Sequence, residues 1–525
     1  MKKHIVLLGI LILLVSCAQQ ASTHNMHESE QSSSTEGKVT LTPTERSIGG
    51  LQEAKPMAAI ETSPESTIQL SADIVKKEID GTTIRMFGYN GMIAGPLLKA
   101  KQGEFFKVDF TNNLDMETTV HWHGVRVENK YDGIPGVTQD PVKPGESFHY
   151  EVRFPDAGMY WYHPHVREDY QQELGLYGAI LVEPKVNEYN PVNGEEALIL
   201  DDIKLDGSDV PPYMDNQINH ALMGRFGNVM LVNGQTDYTL NVKKNEVVRF
   251  YIGNVANVRP FKISFTNAKM KIVGGDVGLY QHDYFADTLI IGPAERYIVE
   301  VKFDAEGTSL LRHSTHHGTY VLGKITVSNE ITPNDYSASF SKTREYSTKQ
   351  KLEQYKPYND KAPDVEWKFS INVQGISRMM HADEDGLEYE DPMPMMSPLT
   401  TNRTLVWQII DMKTGKSNME SHYNWEKGDF VKIRMFNDPD SVHPMQHPIH
   451  FHGNRFLVLS KNSTPEENLV WKDTTLVPVG ATFDILLEIS NPGDWMAHCH
   501  ISEHLQAGMM VHFSVDGEDD LDMYP

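Results

Sequence analysis

Two phrases recur in this chain, in the same order, three times over. The first is a basic residue, a turn and an alternating strand: KQGEFFKVDFTNNL (101–114), KKNEVVRFYIGNV (243–255) and EKGDFVKIRMFND (426–438). The second is a Pro/Gly turn running into a strand: VKPGESFHYEVRF, IGPAERYIVEVKF and VPVGATFDILLEI. Such a repeat leaves few options, because each copy must wrap the same strands around its own apolar layer. Many other short β-like runs are punctuated by Gly, Pro and Asn at sandwich spacing, and long helical periodicity is scarce. The reading is all-β, with three consecutive copies of one β-sandwich at 66–186, 187–330 and 365–525, and a polar linker at 331–364. At roughly 100–200 residues per domain, the length agrees.

Lys2 and Lys3 precede an apolar run from Ile5 to Val15. Spanning a bilayer takes about 20 residues, so this run reads as a signal peptide. It ends in LVSC, which resembles the bacterial lipoprotein box. That resemblance implies removal of residues 1–16 and a lipid on Cys17, followed by a flexible, Ser/Thr/Glu-rich tether over 17–65. The expected location is the cell envelope, with the lipid as the only membrane contact. Ala18 and Gln19 point to the outer membrane where the cell has one.

The chain holds two cysteines. With Cys17 lipidated, Cys499 has no disulfide partner and is left as a free thiolate or a metal ligand. The formal charge of −25 argues against nucleic acid, whose phosphates need clustered cations.

Four short motifs hold ten of the 23 histidines: HWHG (His121, His123), WYHPH (His163, His165), HPIHFHG (His447, His450, His452) and HCHISEH (His498, His500, His504). The middle sandwich has no such pair at the equivalent positions. Residues two apart on a strand share a face, and adjacent residues oppose. Parity therefore sorts eight histidines to one side, and Cys499 with His447 and His504 to the other. Two imidazoles, a thiolate and a weak thioether make an electron-transfer copper site, and Met509 is placed to give the thioether. Eight histidines are too many for one ion and suit a cluster.

In order and form these motifs resemble the four copper motifs of the multicopper oxidases, over residues 66–525. The resemblance implies three cupredoxin-like Greek-key domains and four copper ions. Cys499, His447, His504 and axial Met509 would hold type 1 copper. His121 and His450 would hold type 2 copper. His123, His163 and His500 would hold one type 3 copper, and His165, His452 and His498 the other. It also implies that four one-electron oxidations reduce one dioxygen to two waters, with Asp132 in YDGIPG assisting proton delivery. Some bacterial members carry a glutamate right after the last type 1 histidine; Leu505 stands there, Glu503 is expected to face elsewhere, and the second proton donor is unassigned.

Three functions follow: a metallo-oxidase of Cu(I) in copper tolerance, a laccase acting on phenols or other aromatic reductants, and a non-enzymatic copper-binding envelope protein. Methionines favour the first, since soft thioethers suit Cu(I). Five of the 24 methionines fall between Met379 and Met396, in an acidic stretch that reads as an exposed loop. Met445 sits two residues before His447, where cuprous oxidases of the family place a substrate-binding methionine. Met419 lies near where they place another, and His443 replaces their aspartate. The protein is taken as a monomer whose partners are dioxygen and a small reductant or Cu(I). His313, His316 and His317 in RHSTHHG are assigned no role.

Overall fold

The computed structural model describes residues 47–518, apart from 64–65, 208, 214–217 and 374–383. Cys17, the signal segment, Met379 and Met380 lie outside the described residues.

Six sheets pair into three sandwiches, as the repeated phrases require. In Phe105–Asn112, Leu405–Asp411 and Met510–Asp516, inward and outward residues alternate along the strand. The inward apolar side chains join an apolar core, one for each sandwich. Full burial of a Val, Leu, Ile or Phe side chain contributes about 1.5–3 kcal/mol. Val247–Asn254 is buried on both faces, because the second sandwich packs against its neighbours as well as on itself. A smaller apolar layer, including Met159, Trp161, Tyr177, Ile199 and Tyr251, joins the first sandwich to the second.

Two elements differ from the sequence reading. Ala59–Glu61, inside the stretch read as a tether, is a strand that pairs in parallel with Leu97–Lys101. Three residues are too few to show alternation, so only the pairing partner reveals it. The stretch read as a linker contains the short helices Ser337–Phe340 and Thr348–Glu353, anchored by buried Phe340, Tyr346 and Leu352.

One sheet of the third sandwich positions most of the chemistry. Its strands run in the order His422–Glu426, Met510–Asp516, Gly493–Cys499, His447–Phe451, Thr474–Val477. In its centre Ile449 stands opposite Cys499, and His450 opposite His498. In the first sandwich, His121–His123 pairs with Gly158–His163, setting His121 opposite His163.

Candidate metal centre

The parity of these strands divides the donors between two places. The His447, Cys499 and His504 donors converge on the core side of the third-sandwich sheet. The Cys499 Sγ lies 3.6 Å from His447 Nδ1 and 3.6 Å from His504 Nδ1, and the two nitrogens are 3.3 Å apart. Edges of this length suit three donors about 2.0–2.3 Å from a common centre. Met509 is fully buried, and its carbonyl accepts from the Cys499 N–H at 3.1 Å. The Trp407 ring stacks obliquely on His504 at 4.1 Å and flanks His447 at 5.0 Å. His504 Nε2 donates to the Leu222 carbonyl at 3.3 Å, which leaves Nδ1 as the lone-pair nitrogen.

Burial governs the electrostatics of this triangle. It pushes the Cys499 thiol up, and it pulls His447, helped by His443, down to about 3. Burial, then His447, also holds His504 well below the ordinary imidazole range, so the His447 and His504 rings are neutral at pH 7, and the sulfur keeps its proton until a cation displaces it.

The other eight histidines meet between the first and third sandwiches. Donor atoms of His121, His123 and His450 lie within 4.8 Å of one another, as do those of His123, His163 and His500, and those of His165, His452 and His498. On every ring but His500, the other nitrogen is tied to a neighbouring group. His121 Nδ1 donates to the Asp132 carbonyl at 2.8 Å, His163 Nδ1 to the Pro164 carbonyl at 2.9 Å and His498 Nδ1 to the Cys499 carbonyl at 2.8 Å. His450 Nδ1 donates to the Asp473 carbonyl at 3.0 Å. His165 Nδ1 meets Glu168 at 2.7 Å, and His452 Nδ1 meets the Asp132 carboxylate at 2.9 Å.

What these bonds leave over is the test of the site. The Nε2 atoms of His121, His163, His165 and His450, the Nδ1 of His123 and both ring nitrogens of His500 are buried without a hydrogen-bond partner. His452 Nε2 and His498 Nε2 face each other at 2.9 Å. Orphaned buried nitrogens are costly, each by about 1–3 kcal/mol, unless something else fills their lone pairs. A cluster of cations meets that need, and the acceptors on the opposite ring nitrogens fix the tautomers of the other histidines. Burial also holds His123, His163, His452, His498 and His500 well below the ordinary imidazole range, so these rings are neutral and able to take up a cation.

Several participants left no sign in the motifs. Asp473 Oδ1 accepts from His123 Nε2 at 3.1 Å, and Arg296 grips the same carboxylate with Nη1 at 2.6 Å and with Nη2. Burial pushes this carboxyl up, but Arg296 and the two histidines outweigh it and hold it well below the usual range. Arg296 belongs to the second sandwich, which supplies no histidine here but does supply the clamp. Gly124, the glycine of HWHG, has φ +82°, and a Cβ there would lie 2.3 Å from Asp473 Oδ2. Glu503 is buried and accepts from Asn257 Nδ2 at 2.7 Å; burial, then Asp169, raises it to about 8.

The residues proposed for substrate are scattered. Met445 is fully buried in the third-sandwich core, and His443 is buried with its ring 6.1 Å from Trp407. The 390s stretch is divided: Met393 is buried, whereas Met395 is 87% and Met396 38% exposed. Met419 is half-exposed on the turn Asn418–Glu420. Leu505 is buried. His313 is buried and accepts from the Lys262 N–H at 2.9 Å, while His316 and His317 sit exposed at a hairpin turn.

Family models described as multicopper oxidase match residues 73–187, 198–327 and 390–519. The chain belongs to the multicopper oxidases. As members of that family do, it acts as an oxidoreductase that uses copper. It is 27% identical over 445 residues to the multicopper oxidase mco of Staphylococcus haemolyticus, covering 82% of this chain and 83% of that one. A Campylobacter jejuni multicopper oxidase described as a metallo-oxidase shares the fold at TM-score 0.66 and 22% identity, over 89% of this chain and 98% of that one. A laccase-like multicopper oxidase from Ochrobactrum, with oxidase activity towards lignin model compounds, aligns at TM-score 0.66 and 23% identity, over 89% and 100%. Among the described residues no helix is long and apolar enough to cross a membrane.

Proposed function

We propose that this oxidase holds four copper ions and uses them to reduce dioxygen to two waters with four electrons taken singly from substrate. Type 1 copper is assigned to His447, Cys499, His504 and Met509, and type 2 to His121 and His450. The type 3 pair is assigned to His123, His163 and His500, and to His165, His452 and His498. Copper supplies the one-electron chemistry. The single observation that carries this reading is the strand Gly493–Cys499, which presents Cys499 to one donor set while the flanking His498 and His500 belong to the other.

The residues divide the remaining work. Met509 and Trp407 keep water from the Cys499 site. Asp132, bonded to His452 and close to His121, is proposed to pass protons toward the cluster, and its buried carboxylate also fixes the tautomer of His452.

For substrate, Cu(I) is favoured, in a copper-tolerance role at the envelope with a lipid on Cys17 as anchor. The support is four exposed methionines of the third sandwich: Met395, Met396, Met412 and Met419. Solvent-facing thioethers cost apolar exposure and serve a soft cation. Met419 is the best placed. Its neighbour Asn418 donates to the Trp407 carbonyl at 2.8 Å, and Trp407 is the wall of the Cys499 site. Met445 is fully buried in the third-sandwich core. The second reading, a laccase of aromatic reductants, draws on the Ochrobactrum likeness. Turnover of Cu(I), Fe(II) and a phenol by one copper-loaded sample separates them. Met419→Leu combined with Met395→Leu is expected to lower kcat/KM for Cu(I) while phenol oxidation holds. Unchanged Cu(I) oxidation refutes the cuprous reading.

A further inference from the structure

One ring of the eight-histidine cluster is held differently from the rest. Seven of the eight bond a neighbouring group through one ring nitrogen, whereas neither nitrogen of His500 has a partner. The His500 backbone is fixed, since its N–H donates to the Pro448 carbonyl at 2.7 Å. Its ring torsion is soft and roughly two-fold. A half-turn puts a carbon where each nitrogen was, and the set His123, His163 and His500 then loses one of its three donors.

Packing takes over where hydrogen bonding is missing. The rings of His123, Trp161 and His163 lie 5.0, 5.2 and 5.2 Å from the His500 ring, and Trp161 is the one of the three that is not a donor. The strand period brings it there. Trp161 stands opposite His123 in the pair of strands His121–His123 and Gly158–His163, and His163 follows two residues later on the same face. The indole stacks on His163 at 4.2 Å and 22°, and lies tilted over His123 at 4.9 Å and 38°. One plane therefore touches all three donors of the set. It is itself buried, anchored with Met159, Tyr177 and Tyr251 in the apolar layer between the first and second sandwiches.

The companion set, His165, His452 and His498, is built the other way. Among the described residues its ring contacts are with other histidines, and its rings are oriented by Glu168, Asp132 and the Cys499 carbonyl. We infer that Trp161 is a positioning residue for the set His123, His163 and His500: its indole plane keeps the His500 ring, which no hydrogen bond orients, turned toward the other two donors. This rests on the copper assignment above. His500 follows Cys499 in the chain, so the ring that Trp161 holds is also one end of the covalent bridge between the two centres.

The test compares Trp161→Leu with Trp161→Phe in copper-loaded enzyme. Three quantities are read: the near-UV absorption and electron paramagnetic resonance of the type 3 pair, copper retained against a competing chelator, and blue absorbance. Trp161→Leu is expected to lose the near-UV band, to gain the resonance of uncoupled copper and to hold one copper about 10–100-fold more weakly. Blue absorbance should stay native, because Cys499 faces the opposite side of its strand. Trp161→Phe keeps a planar face and should restore the band. Both substitutions shrink the side chain, so a role in packing bulk alone predicts the same loss in the two. Should Trp161→Leu fail to fold, Trp161→Met, unbranched and closer in length, takes its place. A native band with native copper retention in the variant without a ring overturns the assignment, and so does equal loss in Trp161→Phe. A wild type that takes up no copper at the histidines refutes the copper reading itself, whatever the variants do.

Discussion

Asp473 offers the sharpest test of how the oxygen-side cluster is held. Asp473→Asn keeps the shape but removes the charge that Arg296 grips with two nitrogens. One amide atom must then present N–H groups to a guanidinium that has no acceptor to offer. Breaking a buried ion pair from one side costs about 3–5 kcal/mol. Asp276 Oδ1, 3.7 Å from Arg296 Nη1, still offsets part of the stranded charge, so the loss is expected at about 3 kcal/mol. The same substitution weakens the acceptor for His123 Nε2, and second-shell losses of this kind reduce metal affinity about 10–100-fold. Replacing both partners, Arg296→Met with Asp473→Leu, separates the two effects. Apolar groups of similar volume recover part of the stability, because the stranded Arg296 charge is gone and Asp276 keeps Lys472 Nζ at 3.2 Å. They do not restore the His123 acceptor, while His450 keeps its bond to the residue 473 carbonyl. Thermal unfolding of metal-free protein and copper content after loading are the two measurements. The single variant should lose both, and the double variant should recover only stability. A double variant with full copper at native affinity would refute the role given to this carboxylate.

Cys499→Ser should remove the blue absorbance and all oxidase turnover while far-UV circular dichroism stays native, since the substitution is nearly isosteric. Asp132→Asn should slow oxygen consumption but leave the rate at which substrate bleaches the blue colour; equal loss of both would mark Asp132 as purely structural. Gly124→Ala and Gly453→Ala should both lower copper content, because each Cβ would meet Asp473 or the Trp495 ring at 2.3 Å. Gly136→Ala, whose Cβ meets open space at φ +73°, should cost only the left-handed strain of about 1–2 kcal/mol. Copper uptake at the Cys499 site should release one proton, because His447 and His504 are already neutral whereas burial keeps the thiol protonated. Apparent affinity should therefore rise about tenfold per pH unit between roughly pH 5 and 8, measured against a competing chelator. A flat profile would mean that the sulfur is ionised before copper arrives.

The repeated strand phrases and the parity of HCH were legible without coordinates, since both rest on the two-residue period of a strand and need no partner. The groupings around Cys499 and around the eight histidines follow from that period. Arg296 and Asp473 were not legible, because their meaning lies in a contact between residues 177 positions apart in different sandwiches. Glu168 beside His165 escaped because one acidic residue three positions after a histidine carries no sign of the contact between them. Met445 shows the opposite failure. Spacing places it two residues before His447 but carries no sign of its full burial in the third-sandwich core.

The eight-histidine cluster joins the beginning of the folded body to its end. His121 and His123 are made early in synthesis, and His498 and His500 close to the last strand, Met510–Asp516. A ribosome must pass nearly the whole message before either donor set is complete. Neither centre can therefore be completed before the third sandwich has been made and has met the first. Loss of the final strands by proteolysis would discharge both centres at once.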